Sequence, residues 1–211
     1  MAKSKLKVHV VLDKSQSMQS IRGEAISGFN EYVAELAKNS PDAKLSLTVF
    51  SSSGINTIIS NRLVTEVPPL TLETFVPSGM TPLYDAIGKV VSDFSNARGT
   101  NKALVILTDG QENASQEYTA ASVKRLLEEK QKEEKWLVLY LGANQDAFAE
   151  GNKFGTVAGN TMTYDVDNMK DTFLSASAAT LRYASGGLMS ASFTAEERAR
   201  AVGKKKDNIT G

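Results

Sequence analysis

Short apolar runs alternate along this chain with segments whose apolar residues recur at helical spacing. "LKVHVVLD" (6 to 13) reads as a strand, and after it Ile21, Ala25, Phe29, Val33 and Leu36 fall on one helix face. "AKLSLTVFS" alternates Leu45, Leu47 and Val49 with polar neighbours. The β-rich "INTIISNRLV" (55 to 64) follows the turn signal "SSSG", which predicts a hairpin ending in an edge strand. "TPLYDAIGKVVSDF" places Leu83, Ala86, Ile87, Val90, Val91 and Phe94 on one side, the clearest helix in the sequence. "KALVILTDG" (102 to 110) and "KWLVLYLG" (135 to 142) are nearly continuous apolar runs, the pattern of central parallel strands covered on both faces. Between them a helix carries Val123, Leu126 and Leu127.

Beyond Gly142 the periodicity weakens but continues in kind. "DAFAEGNKFG" reads as a short helix stopped by glycine and "TMTYDV" as a last short strand. "DNMKDTFLSASAATLRYA" reads as a helix with Met169, Phe173, Ala176, Thr180 and Leu181 inward. Thr194 with Glu197 three residues on is a capping-box signature for a short terminal helix, and "KKKDNITG" reads as a frayed, solvated tail. The expected fold is α/β: a doubly wound, Rossmann-like, mostly parallel six-stranded sheet with one antiparallel edge strand and helices on both faces. Residues 1–190 are expected to form one domain, and 191–211 a short helix and flexible tail.

Composition narrows the function. In 211 residues, 24 basic and 24 acidic side chains cancel, with no long block of one sign, which argues against binding nucleic acid or an anionic membrane by bulk charge. With no cysteine there is no disulfide framework, thiolate zinc site or cysteine nucleophile. The apolar run in "MAKSKLKVHVV" is too short for a signal peptide, and no stretch approaches the roughly 18 to 20 apolar residues of a membrane span, so a soluble cytoplasmic protein is expected.

Two strands end in aspartate, Asp13 and Asp109. Ligands of doubly wound sheets bind outside the carboxyl ends of the strands, at the switch in strand order. If these two strands flank that switch, both carboxylates rise into one crevice, beside the hydroxyls of Ser15 and Ser17, and a metal ion becomes the candidate ligand. Each residue also has a plainer role. Thr81 precedes Pro82 and its hydroxyl can cap the helix that follows, Asp13 and Asp109 can cap a loop or helix, and Ser15 and Ser17 are ordinary turn residues. Asp85 suits the first turn of its helix through the macrodipole, with at most a supporting role behind the ligands. His9 and Trp136, each the single residue of its kind, are expected to be structural, and "EEKQKEEK" (128 to 135) a solvated helix end.

Three segments resemble the von Willebrand factor A domain family: "DKSQS" its Asp-x-Ser-x-Ser motif, "SGMTPLYDAI" its threonine loop and following helix, and "ILTDGQEN" its fourth strand ending in Thr-Asp-Gly. They occur in the family's order, and the resemblance spans roughly residues 5 to 185. It implies a metal-ion-dependent adhesion site in which Ser15, Ser17 and Thr81 ligate a divalent ion directly, while Asp13 and Asp109 bind it directly or through water. An all-oxygen donor set selects a hard cation. Magnesium, which takes a small octahedron at about 2.0 to 2.1 Å and keeps waters readily, is expected, with manganese or calcium as substitutes. An ion held by mostly neutral ligands attracts an anionic sixth one, most simply an Asp or Glu carboxylate of another protein.

The expected function is therefore non-enzymatic: a metal-dependent protein-protein interaction module, or adaptor. The resemblance implies an intracellular bacterial or phage-type member, working beside an AAA+ ATPase or within a multi-subunit assembly. One alternative is a magnesium-dependent phosphohydrolase, but its Asp-x-Asp pair is here Asp13-x-Ser15, with no general base or lysine clamp evident. The other is a scaffold whose metal site only braces the fold. "YLGANQDAFAEGNKFG" departs from extracellular family members, either as a subgroup-specific surface or as an ordinary β–α connection.

Overall fold

The computed structural model describes residues 5–94, 100–143 and 147–203. The sheet is formed by β1 (Lys5–Asp13), β2 (Lys44–Ser51), β3 (Gly54–Leu63), β4 (Thr100–Thr108), β5 (Leu137–Ala143) and β6 (Thr161–Tyr164). The helices are α1 (Arg22–Asn39), α2 (Leu83–Phe94), α3 (Ala120–Glu133), α4 (Ala147–Lys153), α5 (Met169–Gly186) and α6 (Ala195–Ala201). The six strands lie in the order β3-β2-β1-β4-β5-β6. All neighbours pair in parallel except β3, which returns antiparallel along β2 as the edge strand of a hairpin. The expected α/β architecture is the one found.

Each face of the sheet buries its own apolar layer. Val8, Val10 and Leu12 of β1 and Val105 and Leu107 of β4 meet Phe29 and Leu36 of α1 and Phe173 and Ala176 of α5 on one side. On the other, Val11, Leu104 and Ile106 meet Leu83, Ile87 and Val91 of α2, Val123 and Leu127 of α3, and Trp136. Burial on both faces is why β4 and β5 read as continuous apolar runs while the exposed β3 does not. Leu181 is only partly buried against its layer.

The capping box between Thr194 and Glu197 forms, and α6 packs onto the domain. Arg182 grips Glu197 through two nitrogens at 2.7 and 2.9 Å, and Arg198 holds the carbonyls of Thr161, Ala158 and Gly159, covering the β6 edge. Ala191, Phe193 and Ala201 lie in the same apolar layer as α1 and α5. The expected tail at 204–211, with Lys204 to Lys206, lies outside the described residues, as do 144–146 of the Gly142 to Gly155 segment. The rest of that segment is a β–α connection whose Phe154 is buried against Tyr140.

Two of the expected minor features differ from or sharpen the sequence reading. The 128–135 run is not wholly solvated: Glu134 pairs with Lys102, a 4 % exposed lysine that also lies 4.9 Å from the Trp136 ring centre, and accepts from Trp136 Nε1. The cause is tertiary, because a buried ammonium needs a counter-charge. His9 is buried in β1, bonded through Nε2 to Thr48 Oγ1 at 2.8 Å and edge-on to Phe94. Burial pushes its pKa down to about 4. The unfolded chain therefore takes up this proton at higher pH than the folded one, and the stability His9 contributes is present above about 6.5 and lost as pH falls toward about 4. Relative to His9→Gln, wild type is expected to lose about 3 kcal/mol across that window, measured by urea unfolding at each pH.

Candidate metal centre

The crevice sits at the carboxyl ends of β1 and β4, the adjacent strands at which the sheet order reverses. Asp13 is the last residue of β1 and is fully buried. The chain then turns into a short, tight helical segment, Gln16–Ile21, carrying Ser17, with Ser15 at its cap position; the Ser15 side chain makes no capping bond and is free to face the crevice. Asp109 follows the last residue of β4.

The five candidate residues come together. Ser15 N–H donates to Asp13 Oδ1 at 2.7 Å, Ser15 Oγ lies 3.0 Å from Ser17 Oγ, and Ser17 O–H donates to Asp109 Oδ1 at 2.6 Å. Thr81 arrives from the third segment. A methyl group built on Gly110 would stand 3.1 Å from Thr81 Oγ1, 3.5 Å from Ser17 Oγ and 3.8 Å from Asp13 Oδ2, so oxygens from two segments face one small space that glycine, on a third, leaves open.

The helix-cap role open to Thr81 is filled by others. Tyr84 N–H donates to Glu112 Oε2 at 3.0 Å and Asp85 N–H to Ser115 Oγ at 3.1 Å, which satisfies N–H groups at the start of α2 and leaves the Thr81 hydroxyl directed to the crevice. The loop before it is fixed by backbone pairing: Ser78 N–H to Lys14 O, Gln16 N–H to Gly79 O and Ser52 N–H to Met80 O, at 2.8 to 2.9 Å. Gly79 has φ +78°, and a side chain there would meet Ser52 Oγ at 2.5 Å, so this turn requires glycine.

Further residues hold these five in place, and of them the sequence offered a supporting role only to Asp85. Thr108 O–H donates to Asp13 Oδ2 at 2.6 Å. Asn113 takes the Thr81 N–H at 2.8 Å and returns its own N–H to Thr81 O at 3.2 Å. Glu112 also accepts from Ala114 N, Ser115 N and Ser115 Oγ. Asp85 accepts the backbone N–H groups of Gln116, Glu117 and Tyr118 at 2.7 to 2.9 Å, which pins the loop after β4 to α2. The sequence signal was present in "GQEN" but pointed to no partner.

The electrostatics suit a cation. Burial pushes the Asp13 carboxyl up to about 6 against the hydrogen bonds from Thr108 and Ser15, and the neighbouring Asp109 carboxylate adds to the rise. Burial also raises Asp109. Two desolvated carboxylates side by side are ionised at neutral pH at a cost that a divalent ion removes. Among the described residues no group of three or more Asp, Glu or His side chains converges as a metal cluster; this crevice offers two carboxylates and three hydroxyls instead. Its all-oxygen donor set fits magnesium or manganese. Because the proton on Asp13 competes with the ion, affinity for magnesium is expected to fall as pH drops through about 6, read by calorimetric titration at pH 5 to 8.

No protein-family model matches the sequence, and no curated protein matches it. Solved structures do match in fold. Proximal thread matrix protein 1 from the mussel byssus superposes with a TM-score of 0.64 at 15% identity, over 84% of this chain and 46% of that one. The von Willebrand factor type A protein of Catenulispora acidiphila gives 0.61 at 14% identity, over 86% and 43%. The manganese-loaded TRAP protein of Plasmodium vivax gives 0.57 at 17% identity, over 81% and 72%. The chain spans less than half the length of the first two.

Proposed function

We propose that this chain, whose fold is that of a von Willebrand factor A-like domain, is a non-enzymatic adaptor that binds an acidic residue of a partner protein through a divalent cation. The observation that carries this reading is the convergence of Asp13 Oδ2, Ser17 Oγ and Thr81 Oγ1 on one space beside Gly110, joined through Ser17 to Ser15 and Asp109. Manganese in the structurally similar TRAP protein supports it. Ser15, Ser17 and Thr81 would hold the ion, with Asp13 and Asp109 beside them; when bound, magnesium supplies a Lewis-acidic position that takes a carboxylate. The partner side is expected to be protein, without nucleic acid, and the working place the cytoplasm. An AAA+ ATPase or multi-subunit assembly fits such an adaptor. Among the described residues no helix is long and apolar enough to cross a membrane.

The crevice favours binding over phosphoryl chemistry. Asp13, which a hydrolase would use as nucleophile, is fully buried, with one oxygen engaged by Ser15 N–H and the other by Thr108 O–H. The rim suits a protein: Met80, half exposed, stands next to Thr81 on a backbone fixed to Ser52 through bonds at 2.8 and 2.9 Å.

Pull-down from the native host's lysate, with magnesium and with chelator, tests the reading. Capture is expected to depend on magnesium and to be lost in Thr81→Ala. It is also expected to be lost when one Asp or Glu of the captured protein becomes Asn or Gln, at a cost on the order of 2 kcal/mol or more. Thr81→Ala combined with the partner substitution is expected to be barely worse than either alone, because both break one bridge. Full additivity, capture that survives chelation, or phosphatase turnover would contradict it.

A further inference from the structure

Tyr164 ends β6 and is wholly buried, yet its hydroxyl has no hydrogen-bond partner among the described residues. Native proteins seldom leave a buried O–H unpaired, and such a group points to a water or ligand that completes it. Its placement is informative. Thr108 of β4 pairs with Gly142 of β5, and the next β5 residue, Ala143, pairs with Tyr164, so Asp109 and Tyr164 stand level with each other two strands apart, about 10 Å at the usual strand spacing. Tyr164 belongs, with Leu107, Leu141 and Ala143, to the α1 and α5 layer. Asp109 follows directly on the end of β4, and its charge, with that of Asp13, reaches the tyrosine hydroxyl.

The two carboxylates of the crevice are supported unequally. Asp13 has the Thr108 hydroxyl and the Ser15 N–H behind it. Asp109 is served by Ser17 O–H, itself a candidate ligand, and by its own backbone amide. Among the described residues, an under-supported acceptor and an unpaired donor thus stand near one level at the carboxyl end of the sheet, two strands apart.

We propose that Tyr164 is a positioning residue of the metal site, donating its O–H through one enclosed water to the Asp109 carboxylate. The inference rests on the reading of the crevice as a cation site. The electrostatic coupling agrees with it: burial first, then the Asp109 and Asp13 charges, pushes the tyrosine hydroxyl well above its ordinary value, so it remains a protonated donor at neutral pH. Carboxylate ligands are commonly oriented by partners of this kind, whose removal weakens metal binding by roughly 10- to 100-fold. The ring itself serves the core, which separates the role of the hydroxyl from that of the side chain.

Tyr164→Phe keeps the ring and removes the donor. Calorimetric titration of magnesium into chelator-stripped protein is expected to show binding about tenfold weaker than wild type, while the melting temperature in chelator stays equal or rises. Equal magnesium affinity in the two proteins would overturn the inference and leave the metal site standing. A wild type that binds no magnesium would overturn the site and this inference with it. Should the variant fail to fold, a crystal structure of magnesium-loaded wild type decides. A water bonded to both Tyr164 Oη and Asp109 supports the role; its absence, with the hydroxyl bonded elsewhere or unpaired, refutes it.

Discussion

Replacing Asp13 with asparagine is expected to weaken magnesium binding by about 100-fold or more while leaving the cation-free protein folded and at least as stable at neutral pH. The lower bound follows from the effect of losing a supporting residue, which already reaches about 100-fold at metal sites. The stability half rests on the local bonds. Asparagine Oδ1 can keep the Ser15 N–H, and its Nδ2 can donate to Thr108 Oγ1, whose proton is free to turn to Gly110 O, already 3.0 Å away. The substitution also removes a charge that burial disfavours. The folded carboxyl titrates near 6, against an unperturbed 3.8, so the folded state binds this proton more tightly than the unfolded one. Its contribution to stability is greatest at low pH and falls as pH rises from about 3.8 through about 6, a cost of up to about 3 kcal/mol at pH 7. Differential scanning calorimetry in chelator, set against magnesium titration of the same samples, reads both halves.

Asp85→Asn is expected to be among the most damaging isosteric changes in the chain, destabilising by about 3 kcal/mol and lowering the melting temperature by roughly 6 to 12 °C. The carboxylate accepts three backbone N–H groups, Gln116 on one oxygen and Glu117 and Tyr118 on the other. An amide must aim N–H groups at one of these sets of donors, so at least one part-buried N–H loses its partner and meets a like dipole. The loop that follows Asp109 would be released at the same time, and magnesium affinity is expected to fall with it. Thermal unfolding monitored by circular dichroism checks the first effect, and a loss below about 1 kcal/mol would show that the loop is held elsewhere.

The contrast between Asp13 and Asp85 shows what the sequence could reveal. Asp13 and Asp109 were legible because each breaks an apolar strand, and a strand end in a doubly wound sheet is a place with known chemical use. Ser15, Ser17 and Thr81 were legible from local spacing and from the motifs they complete. Asp85 looked like an ordinary acid in a first helical turn, because its true partners are backbone N–H groups 31 to 33 residues away, and a backbone donor has no residue type to read. Glu112 and Asn113 were hidden for the same reason, and Thr108 sat inside an apolar run. Glu134 was read as solvated because nothing in a charged helix end shows that a lysine from β4 lies buried beside it. Tyr164 fits any apolar strand; only the three-dimensional accounting of donors sets it apart.

If Asp13, Ser15, Ser17, Thr81 and Asp109 form one divalent-cation site, the protein binds magnesium through them. Isothermal calorimetry of magnesium into chelator-stripped wild type at neutral pH tests it most directly, with manganese as a second probe. Saturable binding of one ion per chain is expected, strongly weakened by Asp13→Asn and by Thr81→Ala. No heat of binding from either ion at millimolar concentration, or binding that both substitutions leave unchanged, would contradict it.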